Sequence, residues 1–520
     1  MDENNGMDEL VRVAENIPQR PTSTDLGAIE HLRDLLKSKR LAEVQSWPQQ
    51  SRNKSLVALF ECALSADVSA IKSNEGRVRE SLTVLGETIE VLLDALTHHE
   101  AIESVGAYLV GFINHPFPPL RIVALNRVKK AVTESNVVLP PLILKSCASC
   151  LADEELSIAA VAIDILSAPA RSQEGLRELL DDPDLVANQL LKIMNQNDTV
   201  KFRVFEWAVK VSQHSPVALD RCAQLGFLDK LLDEFRRDDV LSQLNSLQLL
   251  TDLAITQQGF EYLQEQNIFQ VLDASVKGHD SPMAVFIIPG LMKFFGNVAA
   301  RKPDVVLHRY TGFVESLFSC LTNGDFALQS VALETVAHIG SSRDGKLALQ
   351  KNGLDRYIGS IFRVAEAGSA ESRVIALQCI AQLISVKGMG VPDGDEALEV
   401  TNSWFRLLQQ SPMSKVVSLC QQPFPDIRNA ALRILEGVAS QRWGLMSINS
   451  SPGLMEFLID RGPIKDKAGK EAKFDIVETI VNHPDSNDIF GQVKMAALRR
   501  FYREGPFFVA VQAEVALEGE

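Results

Sequence analysis

The stretch Pro425-Asp-Ile-Arg-Asn-Ala-Ala-Leu-Arg-Ile-Leu-Glu-Gly-Val438 decides the fold. Its apolar residues Ile427, Ala430, Ala431, Ile434, Leu435 and Val438 recur at three- and four-residue steps, so they share one face of a 3.6-residue helix. Asp426 is the expected N-cap, because its carboxylate can accept from the free amides of the first turn. One such helix cannot bury its apolar face alone, and what it packs on must come from elsewhere in the chain.

The same pattern recurs upstream. Stripes follow Pro118-Pro119 (Leu120, Val123, Ala124, Val128, Ala131), Asp198 (Val200, Val204, Trp207, Ala208, Val211) and Asp239 (Val240, Leu244, Leu247, Leu250). Others follow Asp325 (Leu328, Val331, Ala332, Val336, Ile339) and Glu371 (Ala376, Leu377, Ile380, Ile384), with a weaker copy after Glu155. Apart from the longer step between Asp239 and Asp325, the starts lie roughly 35–55 residues apart, around the 40–47 residues of HEAT and armadillo units. Between stripes, a Gly or Pro opens a short helix and a turn leads into an apolar segment. Examples are Pro216…Leu231, Gly259…Leu272 and Gly345…Ile358. A unit is therefore two or three helices, and stacked units bury a continuous core. The predicted fold is all-α, a HEAT/armadillo-repeat superhelical solenoid over residues 26–502. Residues 1–25 are a loose lead-in and residues 503–520 a tail. Strand signals are confined to the neighbourhood of Phe507–Val511.

Composition agrees. At 520 residues the chain exceeds what one compact core supports, roughly 250–300 residues. Apolar residues make up 46% and charged residues 23%, which excludes wholesale disorder. Lys+Arg is 52 and Asp+Glu is 67, so the net charge of −15 disfavours nucleic acid as a partner. The most apolar run, Ala284–Met292, is far short of the about 20 residues a membrane span needs. The acidic N-terminus lacks the basic and apolar regions of a secretory signal. Seven cysteines without such a signal imply reduced thiols, and the expected location is the cytoplasm, with the nucleus as a further compartment.

Chemical motifs are fragments. Cys147-Ala-Ser-Cys150 has redox or metal spacing but lacks a second ligand pair, so buried packing is expected. An enzyme built on it would lose activity on Cys150→Ser. His98-His99-Glu100 lacks the second zincin histidine, because position 103 is Glu103. His279-Asp280-Ser281 reads as a turn before Pro282, since sequence neighbours cannot adopt triad geometry. Gly388-Met-Gly390 fails as a dinucleotide fingerprint at Asp393. Lys465, Lys467, Lys470 and Lys473 read as a solvated run. No cofactor or metal is expected.

Gly290–Ala299 resembles the third helix of an armadillo repeat, in which an inner-face Asn hydrogen-bonds an extended partner backbone. Asn297 stands at that place, while Lys293 replaces the Trp usual there. More broadly, the stretches Ile288–Ala299, Gln422–Ile427, Ser451–Phe457, Lys467–Phe474 and Glu504–Phe508 resemble those of the HEAT/armadillo-type chaperones of proteasome regulatory-particle base assembly. The resemblance covers most of the chain and is strongest from about residue 195. It implies a non-enzymatic protein that binds the C-terminal domain of a proteasomal ATPase subunit, with a large non-ATPase base subunit as a further partner. It also implies release before the mature 26S particle forms, because the chaperone covers surface needed for docking onto the 20S core. The free protein is expected to be a monomer. Polar residues on second helices, Arg127, Arg203, Asn297 and Arg433, are the candidate contacts. The alternative is a general armadillo adaptor that binds linear motifs in transport or trafficking.

Overall fold

In the computed structural model the described residues are 26–39, 41–46, 49–66, 76–182, 185–237, 239–276, 284–322 and 324–509. Among them the regular structure is helical, with no strand. The His279-Asp280-Ser281 turn and the lead-in 1–25 lie outside the described residues. The chain divides into two compact units. The first spans Met1–Arg237 and takes in Thr256–Gly259; the second spans Asp238–Ile255 and Phe260–Glu520.

Each unit has a spine of helices packed in sequence order. In the first unit these are α1 (Leu26–Ser38), α2 (Gly76–Asp94), α3 (Pro118–Glu134), α4 (Leu156–Ser167) and α5 (Asp198–Ser212). In the second they are α6 (Val240–Ala254), α7 (Ala284–Arg301), α8 (Phe326–Ile339), α9 (Ala370–Ile384), α10 (Pro425–Ala439) and α11 (Lys467–Asn482). Every strong stripe of the sequence is a spine helix. In α10 Ile427, Ala430, Ala431, Ile434, Leu435 and Val438 are all buried. Shorter helices such as Thr311–Leu321, Arg343–Lys351 and Asp355–Ala367 form the second layer behind the spine.

Neighbouring spine helices run parallel. A Cβ placed on Gly290 of α7 would meet Leu244 and Leu247 of α6, and one on Gly340, just past α8, would meet Leu383 near the end of α9. Early residues thus face early residues, and late face late. The core between layers is aromatic in places. Phe295 stacks on Phe313 with centroids 4.9 Å apart, and Phe269 lies 5.5 Å from Phe294 and 5.3 Å from Tyr310. Offset and tilted pairs of this kind add to the apolar area they bury.

Three local expectations are corrected. Asp426 is not the N-cap of α10; the cap position is Phe424, and Pro425 occupies the first helical position. Proline lacks the N–H that is unsatisfied there and has φ preset for a helix, so the helix starts two residues earlier than expected. Gly345 does not open its helix but sits in the first turn behind the N-cap Ser342, whose hydroxyl accepts from the Gly345 amide at 3.0 Å. Finally, Phe507–Val509 are turn and irregular backbone, not strand; Gly505 turns the chain at φ 80° after the last helix.

Candidate protein-binding surface

Among the described residues a parallel stack leaves one face of each spine helix without a covering helix, and the exposed residues mark it. In the second unit they are Asn245 and Gln248 on α6, Lys293 and Asn297 on α7, and Glu334 and His338 on α8. Gln378 and Gln382 on α9 and Arg433 on α10 continue the row. The spacing within each helix is three or four residues, one face. At the N-terminal edge the same helices expose apolar groups: Leu241 at 67%, Phe286 at 63% and Phe326 at 44%. Phe424 adds another at the start of α10, at 58%. A polar face rimmed by exposed large apolar side chains is the composition of a protein contact surface.

Cross-repeat ion pairs order this face. Arg433 donates to Asp475 of α11 at 2.7 Å, and Lys387 donates to Glu436 of α10 at 2.7 Å; within α10, Arg433 also donates to Glu436 at 2.6 Å. Burial works against the Glu436 carboxylate, but the two cations outweigh it and its pKa lies below the ordinary value. The first unit repeats the device. Lys130 pairs with Asp94 at 2.9 Å, and Asp164 takes Lys129 at 2.7 Å and Lys210 at 3.1 Å. Such half-exposed pairs each contribute at most about 1 kcal/mol, so they set register between repeats more than they set stability.

The four sequence candidates do not converge. Arg127 and Arg203 belong to the first unit, Asn297 and Arg433 to the second, where α8 and α9 stand between them. Asn297 and Arg433 are exposed on the free face. Arg127 is 4% exposed, and its guanidinium donates to the carbonyls of Leu96 and Thr97 at 2.8 and 2.9 Å. Arg203 is half-buried and donates to the carbonyls of Leu151 and Asp153 at 3.0 and 2.5 Å. Both arginines are engaged inside the fold. They reach back to the turns and helix ends of a preceding repeat; the Thr97 carbonyl also accepts the Ala101 amide, so Arg127 adds a second donor there.

Lys346 in the second unit is likewise a buried cation on main-chain carbonyls, but it reaches forward to the following spine helix; it went unremarked in the sequence. It is fully buried and donates to the carbonyls of Gly340, Gln382 and Leu383 at 2.7, 2.9 and 2.8 Å. Burial pulls its pKa down to about 7. Lys473 is a smaller case: it is 3% exposed and donates to the Asp460 carbonyl, so the lysine run 465–473 is not uniformly solvated.

Chemistry is sparse. Among the described residues no group of three or more His, Cys, Asp or Glu side chains is placed to hold a metal, and no helix is long and apolar enough to cross a membrane. Cys147 and Cys150 are buried, and burial pushes both thiols up, away from the reactive thiolate. Cys150→Ser is expected to cost about 1 kcal/mol by thermal unfolding, as an isosteric change in a packed site; a cost near zero with loss of a function would reverse that assignment. His98 opens its helix behind a capping box formed by Thr97 and Glu100, and Glu103 pairs with His99. Gly388 and Gly390 sit in a loop at positive φ, with no strand before them.

Stacked two-layer helical repeats with a polar free face define an all-α HEAT/armadillo-type solenoid protein. Solved structures of that class are similar to it: importin beta, at TM-score 0.52 and 13% identity over 97% of this chain and 64% of that one, and Kap121p, at TM-score 0.51 and 12% identity over 96% and 51%. The chain belongs to the proteasome non-ATPase 26S subunit family, whose family model matches residues 14–520. It is 31% identical to the 26S proteasome non-ATPase regulatory subunit 5 of Bos taurus, over 95% of this chain and 96% of that protein. The Homo sapiens protein of that name is 31% identical over 94% and 96%, and the Drosophila melanogaster one 24% over 92% and 93%.

Proposed function

We propose that this chain is a non-catalytic chaperone of proteasome regulatory-particle base assembly. It binds the C-terminal domain of a base ATPase subunit and sterically delays docking onto the 20S core. The observation that carries the reading is similarity along nearly the whole length to proteins named 26S proteasome non-ATPase regulatory subunit 5. The free face supports it. A contact of standard size buries about 1,600 Å² in total, within the capacity of several adjacent helices. The apolar rim of Leu241, Phe286 and Phe326 supplies anchors, and Asn297 and Arg433 supply polar contacts.

Affinity purification of the tagged chain from cells tests this. Base ATPases without 20S subunits are the expected catch. Intact 26S particles, or capture of an isolated linear motif in place of a folded ATPase domain, would overturn it. Replacing Phe286 and Phe326 by Ser, together with Asn297→Arg and Arg433→Glu, should weaken ATPase capture about tenfold or more. Undiminished capture by a variant of unchanged thermal stability removes this face from the interface.

A further inference from the structure

The last helix, Ser486–Glu504, is broken at Gly491, whose φ of 69° and ψ of 171° re-aim the chain. The segment after the break is held down by Met495, Leu498 and Phe501, all buried. At about 100° per residue, its opposite side gathers Val493, Ala496, Arg499, Arg500 and Arg503 into one stripe; all five are exposed, Val493 at 85%.

Among the described residues the three arginines meet one carboxylate, Glu504. Among the described residues Arg499 donates to the neutral Asn487 side chain at 2.7 Å, and Arg503 to the Arg499 carbonyl at 3.4 Å. Arg500 donates to Glu504 at 2.8 Å, but Glu504 is shared with Arg461, whose Nη2 lies 3.3 Å away. Asp488 precedes the break. On a chain of net charge −15 such a stripe is an exception.

That shared carboxylate also ties the stripe to a groove. Arg461 stacks over Phe501 at 4.1 Å and lies 5.4 Å from the Phe508 ring. Beside it a cleft of about 360 Å³ is lined by Ile464, Lys470, Phe501 and Phe508, with Asp460 at one side. Phe507, Phe508 and Val509 are themselves 50%, 41% and 77% exposed.

We infer that this end of the second unit is a docking site for an acidic peptide segment of another protein, one that carries an aromatic side chain among its carboxylates. Guanidinium groups bind carboxylates in paired hydrogen bonds, and Arg is the residue that interface contacts favour. The aromatic side chain would enter the cleft between Ile464 and Phe508, beneath cations that attract a ring face. A nucleic acid fits less well, because the overall charge repels it and Val493, Ala496 and the cleft offer apolar surface that a phosphate backbone cannot use.

The test uses the full chain and a fluorescent peptide of alternating Asp and Glu around one Phe. Binding is expected to weaken with rising salt and to fall about tenfold or more in the triple variant Arg499→Glu, Arg500→Glu, Arg503→Glu. These side chains are exposed, so the thermal midpoint should stay unchanged. Phe508→Ala should weaken the Phe peptide but not its Ala counterpart. Peptide affinity equal in the triple variant and the parent, no distinction between Phe and Ala peptides, or tighter binding of a single-stranded oligonucleotide to the same arginines would each overturn the proposal.

Discussion

Lys346→Met is expected to destabilise the second unit by about 3 kcal/mol in mildly alkaline buffer, because the buried carbonyls lose the N–H groups that the neutral amine still offers them and methionine offers none in return. Those carbonyls belong to Gly340, Gln382 and Leu383, at the C-terminal ends of α8 and α9. One side chain therefore joins two spine helices and the short helix Arg343–Lys351 that carries it. The effect depends on pH in a defined direction. The group titrates at about 7 in the fold, against an ordinary lysine value of 10.5. Between those values the unfolded chain holds a proton that the folded one has released, so stability contributed by the folded Lys346 rises with pH across that window. The gap between parent and variant should thus be smallest below about pH 7 and grow by a few kcal/mol toward about pH 10. Urea midpoints of the two proteins at several pH values measure it. A gap that shrank as pH rose would show that the three carbonyls hold the ammonium more firmly than burial weakens it.

The architecture was legible because it rests on local periodicity. The stripe of α10 repeats in α3, α5, α8 and α9, and each copy is bracketed by a turn-forming residue, so element type and stacking follow from residues a few positions apart. Asn297 and Arg433 were placed on an exposed face for the same reason. Arg127 and Arg203 show where that reasoning stops. Periodicity says which side of a helix a residue occupies; it does not say that a long side chain reaches back across roughly 30 to 50 residues of sequence to a carbonyl of the preceding repeat. Lys346 was hidden by the same non-local geometry. Its only trace in the chain is a cation beside the apolar Leu347, Ala348 and Leu349, a signal that becomes meaningful once the ends of α8 and α9 are known to meet there. The apolar rim was missed because Leu241, Phe286 and Phe326 belong to helices whose apolar residues are mostly buried, and only the packing separates the few that are not.

Gly345→Ala is expected to cost about 3 kcal/mol, although it replaces a poor helix former by the best one. Helix propensity favours alanine by about 1 kcal/mol in an open helix interior. At Gly345, however, an added Cβ would lie 1.8 Å from the Ile339 carbonyl oxygen and 2.8 Å from its carbon. That oxygen is main chain at the end of α8 and cannot rotate aside, so the Arg343–Lys351 helix must move away. The movement would also pull Lys346 from the carbonyls it binds, and the losses should therefore not be additive with those of Lys346→Met. Gly444 stands in the same relation to the Val438 oxygen, at 1.9 Å, and Gly175 to the Pro169 oxygen, at 2.4 Å. In each case the glycine lies three residues after the N-cap, at Ser172, Ser342 and Gln441. The recurring junction brings the first turn of a short helix hard against the backbone just before it, which only a residue without a side chain permits. Gly359 is the control: a Cβ there meets its nearest neighbour at 3.5 Å, ordinary contact. Gly359→Ala should leave stability unchanged or raise it by about 0.5–1 kcal/mol. Thermal midpoints of the two alanine variants, measured side by side, separate the explanations. Equal shifts would mean that backbone entropy, not the approach to Ile339, governs both sites.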